Sequence, residues 1–297
     1  MIIYNPKDWF TFIFRLHKAD TFRKLIPMML IITIYSLIIA WVEKEYFHAD
    51  ENSPVKNISL IHTLLGFVLS MLLVFRTNTA YDRWWEGRKL WGQLTNQSRN
   101  FALKISSFLP EEDSENRKFF SHHTGLFAVI LSRHLMSEKT RLALSENEHI
   151  REYMLESHPP AEVARIIMNR ISELNKKSVI TDIQILLLND EIKGFMDVCG
   201  GCERIKNTPI PFSYSLFIKK FIFIYIITLP IGYAGTLGYW VAPLVAFALY
   251  VLGGLEIIAE EIEDPFNLDA NDIPTPQIAE NIAVSVKSLL INFNKKS

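Results

Sequence analysis

The feature that most restricts the fold is an uncharged run in the last third of the chain. Residues 221–255 form 35 consecutive positions without Asp, Glu, Lys or Arg. One transmembrane helix needs about 20 apolar residues, at a rise of about 1.5 Å per residue. The run is long enough for two spans and therefore predicts a helical hairpin in a membrane. We place the turn at residues 235–240, where two glycines free the backbone and Tyr239 and Trp240 suit the bilayer interface.

Two further apolar stretches lie in the first quarter of the chain. Residues 25–42 carry no charge, and charged residues bracket them on both sides. Residues 58–75 are diluted by polar side chains, namely Ser59, His62, Thr63 and Ser70. A partly polar face favours a helix that lines a pathway. With the hairpin, these stretches predict four transmembrane helices, the first two within residues 25–76 and the last two within residues 216–258.

Basic residues beside the spans predict the orientation. Five precede the first span, at positions 7, 15, 18, 23 and 24, whereas the first loop contains only Lys44 and Lys56. Because Lys and Arg are enriched on the cytoplasmic side, we expect both termini in the cytoplasm and the chain in the cell membrane. The first loop is then outside, and it is acidic through Glu43, Glu45, Asp50 and Glu51.

Residues 77–215 are polar and predict a cytosolic helical domain. Apolar side chains recur at helical spacing in residues 100–109 and 119–135, and Pro159-Pro160 suits the first turn of another helix. A helix over residues 180–198 should end at Gly200-Gly201, a predicted C-cap. No stretch alternates apolar and polar residues convincingly, so the chain is predicted to be all-α. Residues 1–24 are expected to form an N-terminal interfacial segment, and residues 259–297 a C-terminal cytosolic segment.

Several classes of function find no support in the sequence. The formal net charge of -1 gives no basic surface for nucleic acid. No phosphate-binding loop, HExxH or GxSxG motif is present, which argues against an enzyme and predicts no required cofactor.

The cysteines and histidines offer little for a metal. Cys199 and Cys202 have the spacing of half a zinc site, but no second pair exists, and the nearest histidine is His158. We expect both cysteines to be packing residues near a helix end. The histidines at positions 122, 123 and 134 have no carboxylate or cysteine at metal-ligand spacing, and we expect them to lie at the surface.

The most specific stretch is residues 75–92, FRTNTAYDRWWEGRKLWG. On composition alone it suggests a membrane-interface girdle, in which arginines pair with Asp82, Glu86 or phosphate headgroups. The stretch also closely resembles the FRxNxxYxRWxEGRxxWG pattern of the bacterial and plant branch of the bestrophin ion-channel family. Residues 200–214 resemble the family segment before the third span, and residues 260–266 resemble the one after the fourth.

The resemblance implies a homopentamer with one axial pore, lined by the second transmembrane helix of each subunit. Phe67, Met71 and Phe75 recur every fourth residue and so share a helix face. Family members carry large apolar residues at the matching positions as a hydrophobic neck. From the residues alone, the face is more simply explained by burial against the next helix. The resemblance also implies a second, cytosolic constriction at Ile183.

An acidic run follows the fourth span. In animal bestrophins a calcium clasp lies here, and by position its side-chain ligands match Glu261, Asp264, Asp269 and Asp272. Carboxylate oxygens are suitable calcium ligands. The alternative is a capped helix end with a solvated acidic turn.

These observations predict a passive channel for small monovalent ions, surrounded by membrane lipid. The family resemblance implies chloride or other anions, while the acidic first loop leaves cation conduction open. A secondary transporter is an alternative, with His62 as its one titratable candidate inside a span. A nonconducting membrane scaffold is another.

Overall fold

The computed structural model describes residues 21–47, 58–142 and 148–291, and within these ranges the regular structure is entirely helical. The all-α prediction is confirmed for this part of the chain. The helices are α1 (Thr21–Val42), α2 (Ile58–Phe108), α3 (Ser114–Leu135), α4 (Glu138–Leu142), α5 (Glu148–Tyr153), α6 (Pro159–Lys176), α7 (Asp182–Asn207), α8 (Phe212–Leu237), α9 (Val241–Glu263) and α10 (Thr275–Leu290). The interfacial segment predicted for residues 1–24 lies mostly outside the described residues.

Three helical stretches are long and apolar enough to cross a membrane: Thr21–Tyr46, Ile58–Phe108 and Phe212–Glu263. The third consists of α8 and α9, joined by a short 3-10 turn at Gly238–Trp240. Gly238 has a φ of 54°, in the left-handed region that glycine adopts without strain. The predicted hairpin is therefore present, and its turn falls within residues 235–240.

The apolar helices share one core. α1 packs on α9, and α8 packs on both α2 and α9. The buried residues of this core include Leu69 and Leu73 of α2, with Ile222 and Ile226 of α8. Only one narrow side of α2 is buried here, because the remaining apolar side chains along residues 60–75 are mostly exposed.

Helix α2 continues far beyond its apolar part. It has 51 residues, a length of about 76 Å at the usual rise per residue. The boundary expected near Arg76 lies inside this helix. No proline occurs between residues 58 and 108, and Pro110 follows soon after the helix ends. One continuous helix therefore runs from the apolar bundle into the polar domain.

The polar domain has a second core. The polar half of α2 packs with α3, α6, α7 and α10 around buried aromatic residues. The ring of Phe101 lies 5.9 Å from that of Phe120 and 5.8 Å from that of Phe195, both edge-on. Helix α10 packs into this same core through Ala279 and Ile282. It belongs to residues 259–297, which the sequence predicts as a separate C-terminal segment.

The predicted C-cap at Gly200-Gly201 is wrong. Helix α7 runs through both glycines to Asn207. A Cβ atom on Gly201 would lie 3.0 Å from both Cδ atoms of Leu90, so this glycine permits close packing of α7 against α2.

The two cysteines lie in the same part of α7 and are fully buried. Burial raises the pKa of the Cys202 thiol to about 12 and raises the pKa of Cys199 as well. They are packing residues, as expected, but they lie within the helix rather than at its end.

Candidate ion pathway

The face of α2 that carries Phe67, Met71 and Phe75 is open in a single subunit. Their side chains are 69%, 50% and 56% exposed. No described helix of the same chain covers this face, so burial against a neighbouring helix of the same subunit is not seen among the described residues. The structure leaves a large apolar stripe free to meet water, lipid or another copy of the chain.

The opposite side of α2 faces α8 and holds His62. The Nδ1 atom of His62 is 2.9 Å from the carbonyl oxygen of Ile58, and Nε2 is 2.9 Å from Oγ1 of Thr228. A Cβ atom on Gly66 would lie only 2.7 Å from the Tyr225 hydroxyl, so a small residue is required at this contact. His62 is therefore a packing residue, and it lies away from the exposed stripe.

The exposed face continues along the polar half of α2. At 3.6 residues per turn, the side chains within about 80° of the Phe67 direction include Asp82, Lys89, Gln93 and Asn96, all of them exposed. Trp85 and Leu103 lie on the same face and are 47% and 50% exposed. Beyond the apolar bundle the face is therefore mainly polar, with apolar side chains among the polar ones.

A cavity of about 700 Å³ lies beside this face, between α2 and α10. Its lining includes three cationic side chains, Arg88, Lys89 and Arg99, together with amide and hydroxyl groups. None of the three forms an ion pair with a described residue. Their positive charge is therefore available to attract anions from solution.

Immediately after Phe75, a buried ion pair fixes the position of α2. Arg76 is 1% exposed, and its Nη2 donates to Oε2 of Glu263 over 2.6 Å. Its Nε also lies 3.6 Å from Oε2 of Glu256. The other carboxylate oxygen of Glu263 accepts the backbone N–H of Ile210 over 2.7 Å. One cluster thus joins α2, the end of α9 and the segment before α8.

Arg83 strengthens the same junction through backbone carbonyls. Its guanidinium donates to the carbonyl oxygens of Glu263, Thr208 and Ile205. Glu86 pairs instead with Arg204, 2.6 Å away. The local pairing expected within residues 75–92 is therefore wrong for Arg76 and Arg83, whose partners are more than 100 residues away in sequence.

Ile183 lies at the start of α7, two residues after the N-cap Thr181. It is 73% exposed, and Leu186 and Leu187 beside it are also exposed. These three side chains form an open apolar patch on the first turns of the helix. Helical spacing alone places the two leucines next to Ile183.

The acidic turn is held together by internal bonds. Glu261 pairs with Lys24 and also accepts from Asn271. Asp264 accepts from the side chain of Asn267. Within the described residues, the carboxylates predicted to bind calcium do not converge as a group of three or more. Calcium binding at Glu261, Asp264, Asp269 and Asp272 stays a prediction.

Asp272 is the buried member of this turn, at 1% exposure. Its Oδ2 accepts the backbone N–H of Asp269, while Oδ1 has no partner. Burial raises the pKa of this carboxyl to about 7. The turn is therefore more enclosed than the solvated loop that the sequence suggested as the alternative.

Almost the whole chain matches a known family. The model described as Bacterial/Fungal Bestrophin protein matches residues 1–288. The chain belongs to the bestrophin family. This bestrophin is 34% identical over 242 residues to a voltage-dependent anion channel-forming protein of Nostoc, covering 80% of this chain and 79% of the relative. It is 30% identical over 287 residues to a protein of that description from Mesorhizobium japonicum, covering 96% and 91%.

Solved structures have the same fold. The crystal structure of a bacterial bestrophin homologue from Klebsiella pneumoniae is similar with a TM-score of 0.78 at 26% identity. The match covers 90% of this chain and 98% of that one. The resemblance drawn from three short sequence stretches is thereby confirmed for the family and for the fold.

Proposed function

We propose that this bestrophin is a passive anion channel built from several copies of the chain around a central pore. The observation that carries the proposal is the exposed face of α2, which is apolar at Phe67, Met71 and Phe75 and mainly polar from Asp82 onward. Curated relatives described as voltage-dependent anion channel-forming proteins support the same function.

A single subunit cannot enclose a pathway along α2, because one side of the helix packs on its own bundle and the other side is open. Copies arranged about an axis would bring their open faces together. The family resemblance favours a homopentamer. The continuous 51-residue helix α2 would line both the pore in the membrane and a wider cavity below it on the cytosolic side, the vestibule.

The proposed gate consists of apolar rings. Phe67, Met71 and Phe75 from each copy would form the neck, and Ile183 would form a second constriction on the cytosolic side. Apolar constrictions block ions by excluding water when they are narrow, and they do not select the sign of the charge. Selection must therefore come from charged groups elsewhere on the pathway.

The cavity with Arg88, Lys89 and Arg99 favours anions. Repeated in each copy beside the vestibule, these side chains would raise the local anion concentration. Glu43 and Glu45, which follow α1, would lower the local anion concentration at the outer mouth of the pore. We infer that the channel conducts small monovalent anions such as chloride and has no enzymatic role. We place it in a cell membrane, with both termini in the cytoplasm.

Currents through planar bilayers test the neck. Alanine in place of Phe67, Met71 or Phe75 should increase the current, because each change widens an apolar ring. Phe223 is 52% exposed on α8, outside the proposed pathway, so Phe223→Ala is the matched control and should conduct like the wild type.

The same recordings separate the proposal from its alternatives. Folded, oligomeric protein that passes no current in any variant would contradict the channel. Equal changes in Phe67→Ala and Phe223→Ala would contradict the assignment of the neck.

A further inference from the structure

Three side chains from distant parts of the sequence converge in the cytosolic domain. The Nε2 atom of His134 lies 2.7 Å from Oε1 of Glu203, and Nε2 of His158 lies 3.0 Å from the same oxygen. The ligand atoms of all three lie within 4.8 Å of one another. We infer that this cluster binds a divalent transition metal ion, with Zn²⁺ as its preferred occupant.

The chemistry of the three groups suits this ion. Two neutral imidazoles and a carboxylate form a common ligand set for Zn²⁺, and a water completes the fourth position. Zn–N and Zn–O bonds of about 2.0–2.2 Å separate neighbouring ligand atoms by about 3.3 Å in a tetrahedral site. The present separations of 2.7 and 3.0 Å require the side chains to move apart only slightly. Imidazole nitrogens also favour Zn²⁺ over Ca²⁺, which prefers oxygen ligands.

Helices hold each ligand in place. His134 is in the last turn of α3, His158 is the N-cap of α6, and Glu203 lies in α7. The side chains are 24%, 38% and 25% exposed, so they are partly fixed by packing and still accessible to an ion from solution. A bound metal would therefore connect three helices of the cytosolic domain at one point.

Two neighbouring contacts bear on binding. Lys206 directs its ammonium at the carbonyl oxygens of His134 and Met136, 2.8 and 3.1 Å away. Its charge is thus partly satisfied by the backbone. The Nδ1 atom of His158 accepts the N–H of Ala161 over 3.2 Å. A metal on Nε2 places the proton of the neutral ring on Nδ1, so binding releases this one capping bond.

The experiment uses the full-length protein in detergent, stripped of metal with a chelator and titrated with Zn²⁺ by calorimetry. We expect one ion per chain. His134→Ala and Glu203→Gln should each weaken binding by more than about 100-fold, since even an outer-shell partner changes affinity by about 10- to 100-fold. His122→Ala is the matched control, because this histidine is exposed on the same helix, and it should bind like the wild type.

Four results decide the inference. Circular dichroism must show that both ligand variants are folded. The absorption spectrum of the Co²⁺-loaded wild type should indicate nitrogen ligands, and Glu203→Gln should change this spectrum. Wild-type affinity in both ligand variants would overturn the assignment. Displacement of Zn²⁺ by a moderate excess of Ca²⁺ would also overturn it, because it would indicate an all-oxygen site such as the acidic turn.

Discussion

The buried ion pair below the proposed neck allows a worked prediction. Replacing Arg76 with methionine keeps an apolar stem and removes the guanidinium. Glu263 and Glu256, whose side chains are 13% and 5% exposed, then lose their cationic partner. Removing one partner of a buried pair lowers the free energy of unfolding by about 3–5 kcal/mol, because the remaining charge is left uncompensated.

The expected shift is large enough to measure in detergent. At about 2–4 °C per kcal/mol for a chain of this size class, Arg76→Met should lower the apparent Tm by roughly 6–20 °C. Intrinsic tryptophan fluorescence during heating reports the transition, and size-exclusion chromatography beforehand reports assembly. Arg88→Met is the matched control, since Arg88 is exposed and makes no ion pair with a described residue; its stability should change by less than about 0.5 kcal/mol.

A double variant tests the assigned partner. If Arg76 acts mainly through Glu263, then Arg76→Met combined with Glu263→Gln should be less destabilised than the two single changes added together. An apparent Tm for Arg76→Met within about 2 °C of the Arg88→Met value would refute the reasoning. Full additivity would show that Glu263 is not the partner that matters.

Three further predictions follow from burial. The pKa of Asp272 is raised to about 7 in the folded chain, so the charged carboxylate destabilises the fold. The free energy of unfolding should therefore fall as pH rises from about 4 to about 7. Measurements of Tm against pH should show this slope in the wild type and not in Asp272→Asn. Gly201→Val should lower the free energy of unfolding by about 1–3 kcal/mol through overpacking, whereas Gly200→Ala has open space; equal thermal shifts would contradict this contrast. Cys199 and Cys202 should react with iodoacetamide only after unfolding, because burial raises the pKa of both thiols, and rapid labelling of folded protein would contradict their burial.

Much of the helical architecture could be predicted because it depends on local pattern. The uncharged run of residues 221–255 needs a hairpin whatever its neighbours are, and Gly238 supplies the turn. The stripe of Phe67, Met71 and Phe75 follows from helical spacing alone. Its openness within the subunit follows from the helices around it.

The errors have a common physical cause. Gly200 and Gly201 have the composition of a helix end, but the close approach of α2 keeps them inside α7. For Arg76 the sequence suggests Asp82, Glu86 or a phosphate headgroup as partner, yet the chain folds it onto Glu263, 187 residues away. Contacts between remote segments leave no trace in the spacing of one sequence.

The proximity of His134 to two other possible metal ligands could not be predicted for the same reason. Spacing along the chain predicts an ordinary surface histidine at this position. Its neighbours His158 and Glu203 come from two other helices. Only the packing of α3, α6 and α7 brings the three side chains together.

Anion conduction is tested by the reversal potential of the purified protein in a planar bilayer under a chloride gradient. We predict a value close to the chloride equilibrium potential. It should move toward zero when Arg88, Lys89 and Arg99 are all changed to glutamine. A reversal at the equilibrium potential of the cation, or the absence of current from folded and oligomeric protein, would contradict an anion channel.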